Sequence, residues 1–413
     1  MLGYLQQHLT LPSEAEWNRD ELIPLGVEAV FAAAFVSRFG ADFVHAVTSF
    51  NGEVGRLLQR SGAFTAGLTD SPTARVWGTR FPIIQGGMSW ITDSTEFAAA
   101  VATAGALPTL AMGMLDAAGL QQKFSSLPQR LQGAPYAVNL ITLAENPHRQ
   151  SQMEWILANR PRFVVIAAGE PSQGKPLLES GIELIYIAPN EELLRLALET
   201  GYRYVLCEGC ESGGHIGIHS TLTLSQLAIE LKLQRPELFA GVSLILAGGI
   251  CNRLTAQMAV MLGADAIQMG TAYLTTREIV VTGALSPLYQ QQILAAENGA
   301  TVVTGESVGL RVRALRNNKT AAILQLEQQS AGQRGAEQTL RHQLAKLATG
   351  SLLLAARQID ARTGQTVEAV VAVSEGRFMS GACAGILNQA RTLIELHAEV
   401  TGAILAPRQQ AAS

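Results

Sequence analysis

Eight short apolar runs, each followed by a helix-like stretch, occupy the middle of the chain. They are FPIIQGG (81–87), LPTLAMG (107–113), PYAVNLI (135–141), FVVIAAG (163–169), IELIYIA (182–188), YVLCEG (204–209), SLILAGG (243–249) and DAIQMG (265–270). They are continuous rather than alternating, as expected of parallel strands covered on both faces. Intervening stretches such as NEELLRLALETG and LTAQMAVMLGA have helical spacing and stop at glycine. This order predicts an α/β fold, a (β/α)8 TIM barrel, with a doubly wound open sheet as the competitor. In either fold, function collects at the carboxyl ends of the strands.

Several of these strands end in glycine or polar residues: Gln85-Gly86-Gly87, Asn139, Glu208-Gly209, Gly248-Gly249 and Gln268-Met269-Gly270-Thr271. Convergence of five such endings on one rim points to a site. In LAGGICNRLTAQMAVMLGADAIQMGT (246–271) two neighbouring strands end in glycine, and the first runs into a helix. Glycines let backbone N–H groups approach an anion, and a helix N-terminus adds favourable partial charge. The pair predicts a phosphate cup, against the plain alternative that Gly248, Gly249 and Gly270 only make turns. Neither a P-loop nor a GxGxxG pattern is present.

CEGCESGGHIG (207–217) holds two thiols, two carboxylates and a histidine. No second CxxC supplies the remaining zinc ligands, and thiols three apart on a strand end face opposite ways. Cys207 therefore reads as core, Cys210 as a loop thiol, and no metal site is expected. His215 follows two glycines just beyond a strand, where its imidazole can reach a bound group and handle a proton near neutral pH. Asn139 is either a donor to a bound group or a strand-end cap. Arg311, Arg313, Arg316 and Lys319 form the most basic local cluster, read as a solvated face rather than a docking site for a phosphate or a carrier protein.

Three segments flank the barrel (77–280): a helical N-terminal extension (1–76), a helical insertion or lid (281–376), and a barrel-closing C-terminal helix and tail (377–413). Residues 379–405 read as one amphipathic helix. Charged residues make up 15% of the chain and the net charge is −4, with no basic block interleaved with aromatics. Nucleic acid is therefore not an expected partner. No apolar run reaches the ~18 residues that span a bilayer, and the start lacks a secretory pattern. Four cysteines in 413 residues make no disulfide framework. The expectation is a soluble, cytoplasmic protein.

The combination of FPIIQGGM, the strand-ending Asn of YAVNL, EGCESGGHIG, AGGI and ADAIQMGT, in this order, resembles the nitronate monooxygenase (2-nitropropane dioxygenase)-like FMN barrels. That family includes FMN-dependent enoyl-acyl carrier protein reductases. The resemblance covers about residues 78–320 and the closing helix. It implies FMN at the strand carboxyl ends, with Gly86, Gly87 and Met88 at the ring edge and Asn139 on the ring. Gly213 and Gly214 line the flavin, while Gly248, Gly249, Gln268, Met269, Gly270 and Thr271 hold the phosphate end. Glu208 stands where nitronate monooxygenases commonly have Gln. His215 matches the family's active-site histidine.

The N-terminal segment and the linker-like APRQQAAS resemble parts of polyketide or fatty-acid synthase-like multienzymes. The implied activity is reduction of a 2-enoyl thioester by NADPH or NADH, with an acyl carrier protein or synthase modules as partners. Oxidation of alkyl nitronates with O2 is the alternative, and a non-catalytic docking module a third. A homodimer stays open.

Overall fold

A computed structural model describes residues 32–59, 68–143, 146–330 and 337–403. All eight apolar runs become strands of one closed parallel barrel. They are β1 (Ile83–Gln85), β2 (Leu107–Ala111), β3 (Ala137–Ile141), β4 (Phe163–Ala167), β5 (Glu183–Ala188), β6 (Tyr204–Glu208), β8 (Ser243–Ala247) and β9 (Ala266–Met269). Each pairs with its neighbour in order, and β9 returns to β1 through Ile83↔Ile267, Ile84↔Gln268 and Gln85↔Met269. The fold is therefore the (β/α)8 barrel, and the open sheet is excluded.

The helices start and stop where the sequence punctuates them. Asn190 caps Glu191–Thr200 by accepting from the Leu193 N–H, two glutamates occupy the first turn, and Gly201 ends the helix at φ 98°. That arrangement satisfies end groups and complements the helix dipole. Side chains alternate in and out along each strand. One set, including Ile84, Leu107, Val165, Ile185 and Ile245, fills the barrel interior. The other, including Ile83, Leu110, Val138, Val164 and Leu246, packs with the surrounding helices.

Trp77 joins the interior set from the helix Pro72–Trp77, which straddles the expected boundary at residue 76. Its ring lies edge-on to Phe163 at 5.9 Å and to Tyr204 at 6.0 Å, the first residues of β4 and β6. It thus plugs the amino end of the barrel, opposite the rim where function is expected. The more distant N-terminal residues form a separate unit. Within it, helices Ala32–Phe39 and Phe43–Gln59 meet through Phe35, Phe39 and Phe50. Residues 1–31, and the APRQQAAS tail, lie outside the described residues.

Two flanking expectations need correction. The segment after β9 is not only helical: β10 (Thr301–Thr304) and β11 (Val312–Leu315) pair antiparallel. β11 also pairs with β7 (Gly214–His215), placing His215 opposite Val312. Strands this short are stabilised by their partners more than by their own propensity. The C-terminal helix is shorter than expected, Leu393–Thr401, after a 3-10 turn at Ala382–Ile386. Gly381 and Gly385 explain the loss: their backbones press against Glu211 and Glu297 carbonyls, where a helix with side chains would not fit.

The surviving helix is fastened by His397. This buried ring accepts from the Tyr273 hydroxyl at Nε2 (2.8 Å) and donates from Nδ1 to the Ala104 carbonyl (2.9 Å). A carbonyl can only accept, so this is the neutral Nδ1–H tautomer. Burial pushes the pKa of His397 down to about 4, against 6.5 ordinarily. The neutral form thus favours the fold, with stability full above pH 6.5 and lost as pH falls towards 4. The loss should amount to about 3 kcal/mol. Thermal unfolding of the wild type and His397→Asn between pH 4 and 8 checks this: the wild type should lose more stability on acidification than the variant, whereas parallel curves would refute it.

Candidate active site

The carboxyl ends of the strands open into a cavity of about 950 Å³. The structure brings all fourteen sequence-selected residues to its wall: Gly86, Gly87, Met88, Asn139, Glu208, Gly213, Gly214, His215, Gly248, Gly249, Gln268, Met269, Gly270 and Thr271.

One side of the site lies on the seam that closes the barrel. The Gly86 N–H donates to the Met269 carbonyl (2.8 Å), extending the β1–β9 pairing into the rim. Next to it, a Cβ on Gly87 would lie 2.8 Å from Cβ of Asn139, so the close approach of β1 and β3 requires glycine there. Asn139 and Gln268 are both more than nine-tenths buried. Gln268 Oε1 has no hydrogen-bond partner in the protein. A buried acceptor without a partner costs free energy, so a ligand donor at this point would be stabilising.

The opposite side is the loop after β6. A Cβ on Gly213 would fall 2.5 Å from the backbone carbon of Ser380, so this loop and the C-terminal strap touch backbone to backbone. Two further bonds fix the strap: Gly381 N–H to Thr271 Oγ1 (2.8 Å) and Ala382 N–H to the Glu211 carbonyl (2.8 Å). Glu211 itself accepts from the Thr221 N–H (2.8 Å) and hydroxyl (3.0 Å), at the start of the helix Thr221–Gln234. Glu208 is raised to about 7, chiefly by burial, with a hydrogen bond from Ser212 opposing the shift. It is therefore poised to be neutral or charged near physiological pH.

His215 faces the cavity from β7. Burial, and then the Arg377 guanidinium, hold its pKa below the ordinary histidine value. At the glycine cup, the helix Arg253–Met261 is closed by its own capping box: Asn252 Oδ1 accepts from the Thr255 N–H, and the Thr255 hydroxyl accepts from the Asn252 N–H. Part of the helix-end donor set expected for an anion is thus already used. The backbones of Gly248–Gly249 and Gly270–Thr271 remain at the cavity wall.

The basic cluster is not a simple solvated face. Arg313 donates from Nε to the Cys210 carbonyl (3.0 Å) and from Nη1 to Thr301 Oγ1 (3.1 Å), binding the histidine loop to the insertion. Arg316 donates to the Gly299 carbonyl (3.3 Å), and Lys319 pairs with Glu375 at 2.9 Å. Arg311 reaches the cavity wall, paired with Glu306. Cys207 is buried and Cys210 half-buried, both as free thiols.

Sequence reasoning missed Glu211, Ser212, Ala168, Met379, Gly381 and Cys383, which also line the cavity, and took Arg311, likewise at its wall, for part of a solvated face. The run of small residues SGACAG (380–385) was a legible signal for a close backbone approach. Ala168 was not legible: its φ of 59° is an uncommon conformation for a side-chain-bearing residue.

This barrel, with a cavity at its carboxyl rim and a histidine facing in, agrees with the likenesses that follow, which together show an FMN-type oxidoreductase. Residues 71–400 match the nitronate monooxygenase family, and the chain belongs to it. A probable nitronate monooxygenase of Staphylococcus saprophyticus is 30% identical over 277 residues, covering 58% of this chain and 76% of that protein. The structure of FabK from Thermotoga maritima aligns with a TM-score of 0.66 at 26% identity, over 80% of this chain and 95% of that one. The enoyl reductase domain of MlnA, from the macrolactin biosynthesis cluster of Bacillus amyloliquefaciens, gives a TM-score of 0.64 at 12% identity. It spans 80% of this chain and 95% of that one, and at that identity the likeness concerns the fold alone.

The residues present fit a flavin mononucleotide. They offer an unpartnered buried acceptor at Gln268 and a second buried amide at Asn139, with the backbones of Gly248–Gly249 and Gly270 at the cavity wall. Gly87→Ala should push Asn139 out of place and weaken FMN binding about tenfold or more. Flavin absorbance per protein after exhaustive dialysis measures this, and undiminished occupancy would separate the Gly87–Asn139 packing from cofactor binding.

Proposed function

We propose that the protein is an NAD(P)H-dependent reductase of 2-enoyl thioesters in fatty-acid or polyketide assembly. The observation that carries this reading is the cavity. Its volume of about 950 Å³, near the upper end for small-molecule sites, would be shared between FMN and a substrate. Beyond the glycine rim its wall includes the apolar side chains of Leu143, Ile187, Leu193, Ile216 and Ile218, with Asn190, Glu306 and Arg311 among them. A small alkyl nitronate has no use for such a wall, whereas an acyl chain would bury apolar surface against it.

FMN, when bound, would supply two-electron transfer between a nicotinamide and the substrate carbon. Gly86, Gly87 and Met88 would border its ring edge, with Asn139 and Glu208 as polar contacts and Gly213 and Gly214 lining it. Gly248, Gly249, Gln268, Met269, Gly270 and Thr271 would hold the phosphate end. His215 would handle the proton or polarise the thioester carbonyl. With its pKa depressed, its dominant form at pH 7 is the neutral imidazole, which can donate from one nitrogen and accept at the other. This favours carbonyl polarisation and proton relay over a standing imidazolium acid.

A second reading, nitronate oxidation with O2, is supported by the family match and the staphylococcal relative. The test is an anaerobic titration of the FMN-loaded protein with NADPH and NADH in separate cells. Bleaching of the flavin's visible band by either nicotinamide, followed by recovery on adding a 2-enoyl thioester, is the expected result. No bleaching by either, with bleaching by an alkyl nitronate, would transfer the assignment to nitronate oxidation. A colourless protein that rejects added FMN would revive the non-catalytic docking module. His215→Ala should retain FMN while enoyl turnover falls about 100-fold or more. Full turnover in that variant would end the role of His215.

A further inference from the structure

The turn that leads out of β1 carries a strained residue. Before entering the helix Thr95–Thr103, this segment borders the cavity with Gly86, Gly87, Met88, Ser89 and Ile91. Met88 anchors the turn. Its carbonyl accepts from the Ile91 N–H (3.0 Å) and the Thr92 N–H (2.9 Å), and its own N–H donates to Thr92 Oγ1 (2.9 Å). Trp90 lies inside the turn at φ 64°, in the left-handed region. That conformation suits glycine or asparagine, and a bulky side chain persists there only where the surroundings hold it. The holding bond falls on the strained residue itself: the Trp90 carbonyl accepts from Nε of Arg357 (3.0 Å).

Arg357 comes from far along the chain, as the last residue of the helix Ser351–Arg357 in the insertion. Its guanidinium points three ways. Besides the Trp90 carbonyl, it donates from Nη2 to Asp93 Oδ1 (2.9 Å) and from Nη1 to the Gly283 carbonyl. The Asp93 side chain is only 3% exposed, and its other oxygen is taken by Lys123, from the helix Ala117–Phe124. The buried carboxylate therefore has two cations, and one of them also fastens the turn. A planar guanidinium suits this task because its donors have fixed, divergent directions, whereas an ammonium offers them from one point. Earlier on the same short helix, Leu352 lines the cavity. The helix is held in its turn by Ser286, whose N–H donates to the Ala356 carbonyl (3.0 Å).

We propose that Arg357 is a positioning residue of the flavin site: by tying the Trp90 carbonyl to the Asp93 carboxylate, it holds the turn after β1 in its strained form and so sets Met88 and Ser89 against the bound ring. Gly87 is pinned on the near side by its close approach to Asn139, leaving Arg357 to fix the far side. Met88 reaches across the barrel seam to Gly270, where its sulfur would lie 3.9 Å from an added Cβ. Relaxation of Trp90 would therefore carry Met88 away from both glycine rims of the cavity. The proposal rests on FMN occupying the cavity, whichever substrate follows.

The experiment reads the flavin rather than turnover: visible circular dichroism of the FMN-loaded protein, together with its FMN dissociation constant and its thermal unfolding. Arg357→Gln should alter the flavin dichroism and weaken FMN binding about tenfold. Lys123→Gln removes the other cation of Asp93 without touching the turn. It should cost thermal stability while leaving dichroism and affinity near the wild-type values. Adding Trp90→Gly to Arg357→Gln relieves the left-handed residue and should recover most of the lost affinity. Unchanged dichroism and affinity in Arg357→Gln would overturn the proposal. So would equal losses in Arg357→Gln and Lys123→Gln, which would mean general packing, or a double variant that binds no better than Arg357→Gln. Should Arg357→Gln not fold, Arg357→Lys decides. It keeps the ion pair with Asp93 but cannot also span to the Trp90 and Gly283 carbonyls, so wild-type dichroism and affinity in that variant overturn the proposal.

These outcomes are separable from the enoyl reductase reading. If the variants behave as expected while neither nicotinamide reduces the flavin, the positioning role stands and the reductase reading falls. If a nicotinamide reduces the flavin while Arg357→Gln holds FMN as the wild type does, the positioning role falls alone. A wild type that takes up no FMN overturns both.

Discussion

The seam between β1 and β9 is the contact on which the site depends. Three registered pairs join the first and last barrel strands, and the Gly86 N–H bond to Met269 carries the pairing past their ends. Without that closure, Gln85-Gly86-Gly87 and Gln268-Met269-Gly270-Thr271 would belong to opposite edges of an open sheet. With it, they become neighbours on one wall of a cavity. Backbone hydrogen bonding therefore positions the site before any side chain takes part. Edge removal by closure also leaves no unpaired strand in the barrel.

The second constraint is close backbone contact between the loop after β6 and the strap at Ser380–Gly381. It explains why the C-terminal segment departs from the helix that its composition suggested. Ala, Cys and Leu at roughly helical spacing give an amphipathic pattern, but Gly381 and Gly385 lie where carbonyls of Glu211 and Glu297 leave no room for a side chain. Helix propensity is a weak prior that tertiary contact overrides. The helix resumes at Leu393, where Thr392 and Glu395 form a reciprocal capping box.

The same distinction explains what the sequence revealed and what it did not. Buried parallel strands announce themselves as runs such as FVVIA and SLILA, because both faces are covered and every residue can be apolar. Strand-end glycines are legible for a related reason, since a backbone close to another backbone tolerates nothing larger. β10 and β11 carried no such signal. They are four residues each, and Thr301, Arg313 and Thr304 owe their positions to cross-strand partners and to Arg377, remote in the chain. Trp77 was equally hidden, since one aromatic at the end of a six-residue helix acquires its role only when Phe163 and Tyr204 meet it beneath the barrel.

Electrostatics follows from this architecture. A chain with few charges and a wide apolar wall gives each buried ionisable group little dielectric relief. Glu208 and His215 respond in opposite senses, the acid raised and the base lowered, because both are driven chiefly towards their neutral forms by burial. Burial thus holds the Glu208 carboxyl and the His215 imidazole towards their uncharged forms at the edge of the cavity. Glu208, raised to about 7, can exchange a proton near physiological pH. The basic residues of the insertion are arranged so as not to disturb that balance from within the cavity: Arg313 is tied to carbonyl and hydroxyl oxygens, Lys319 to Glu375 and Arg311 to Glu306. The insertion therefore has a part in holding the histidine loop. By adding two strands to the two-residue β7, it holds His215 in a register that the histidine loop, with its flexible glycines, could not maintain alone.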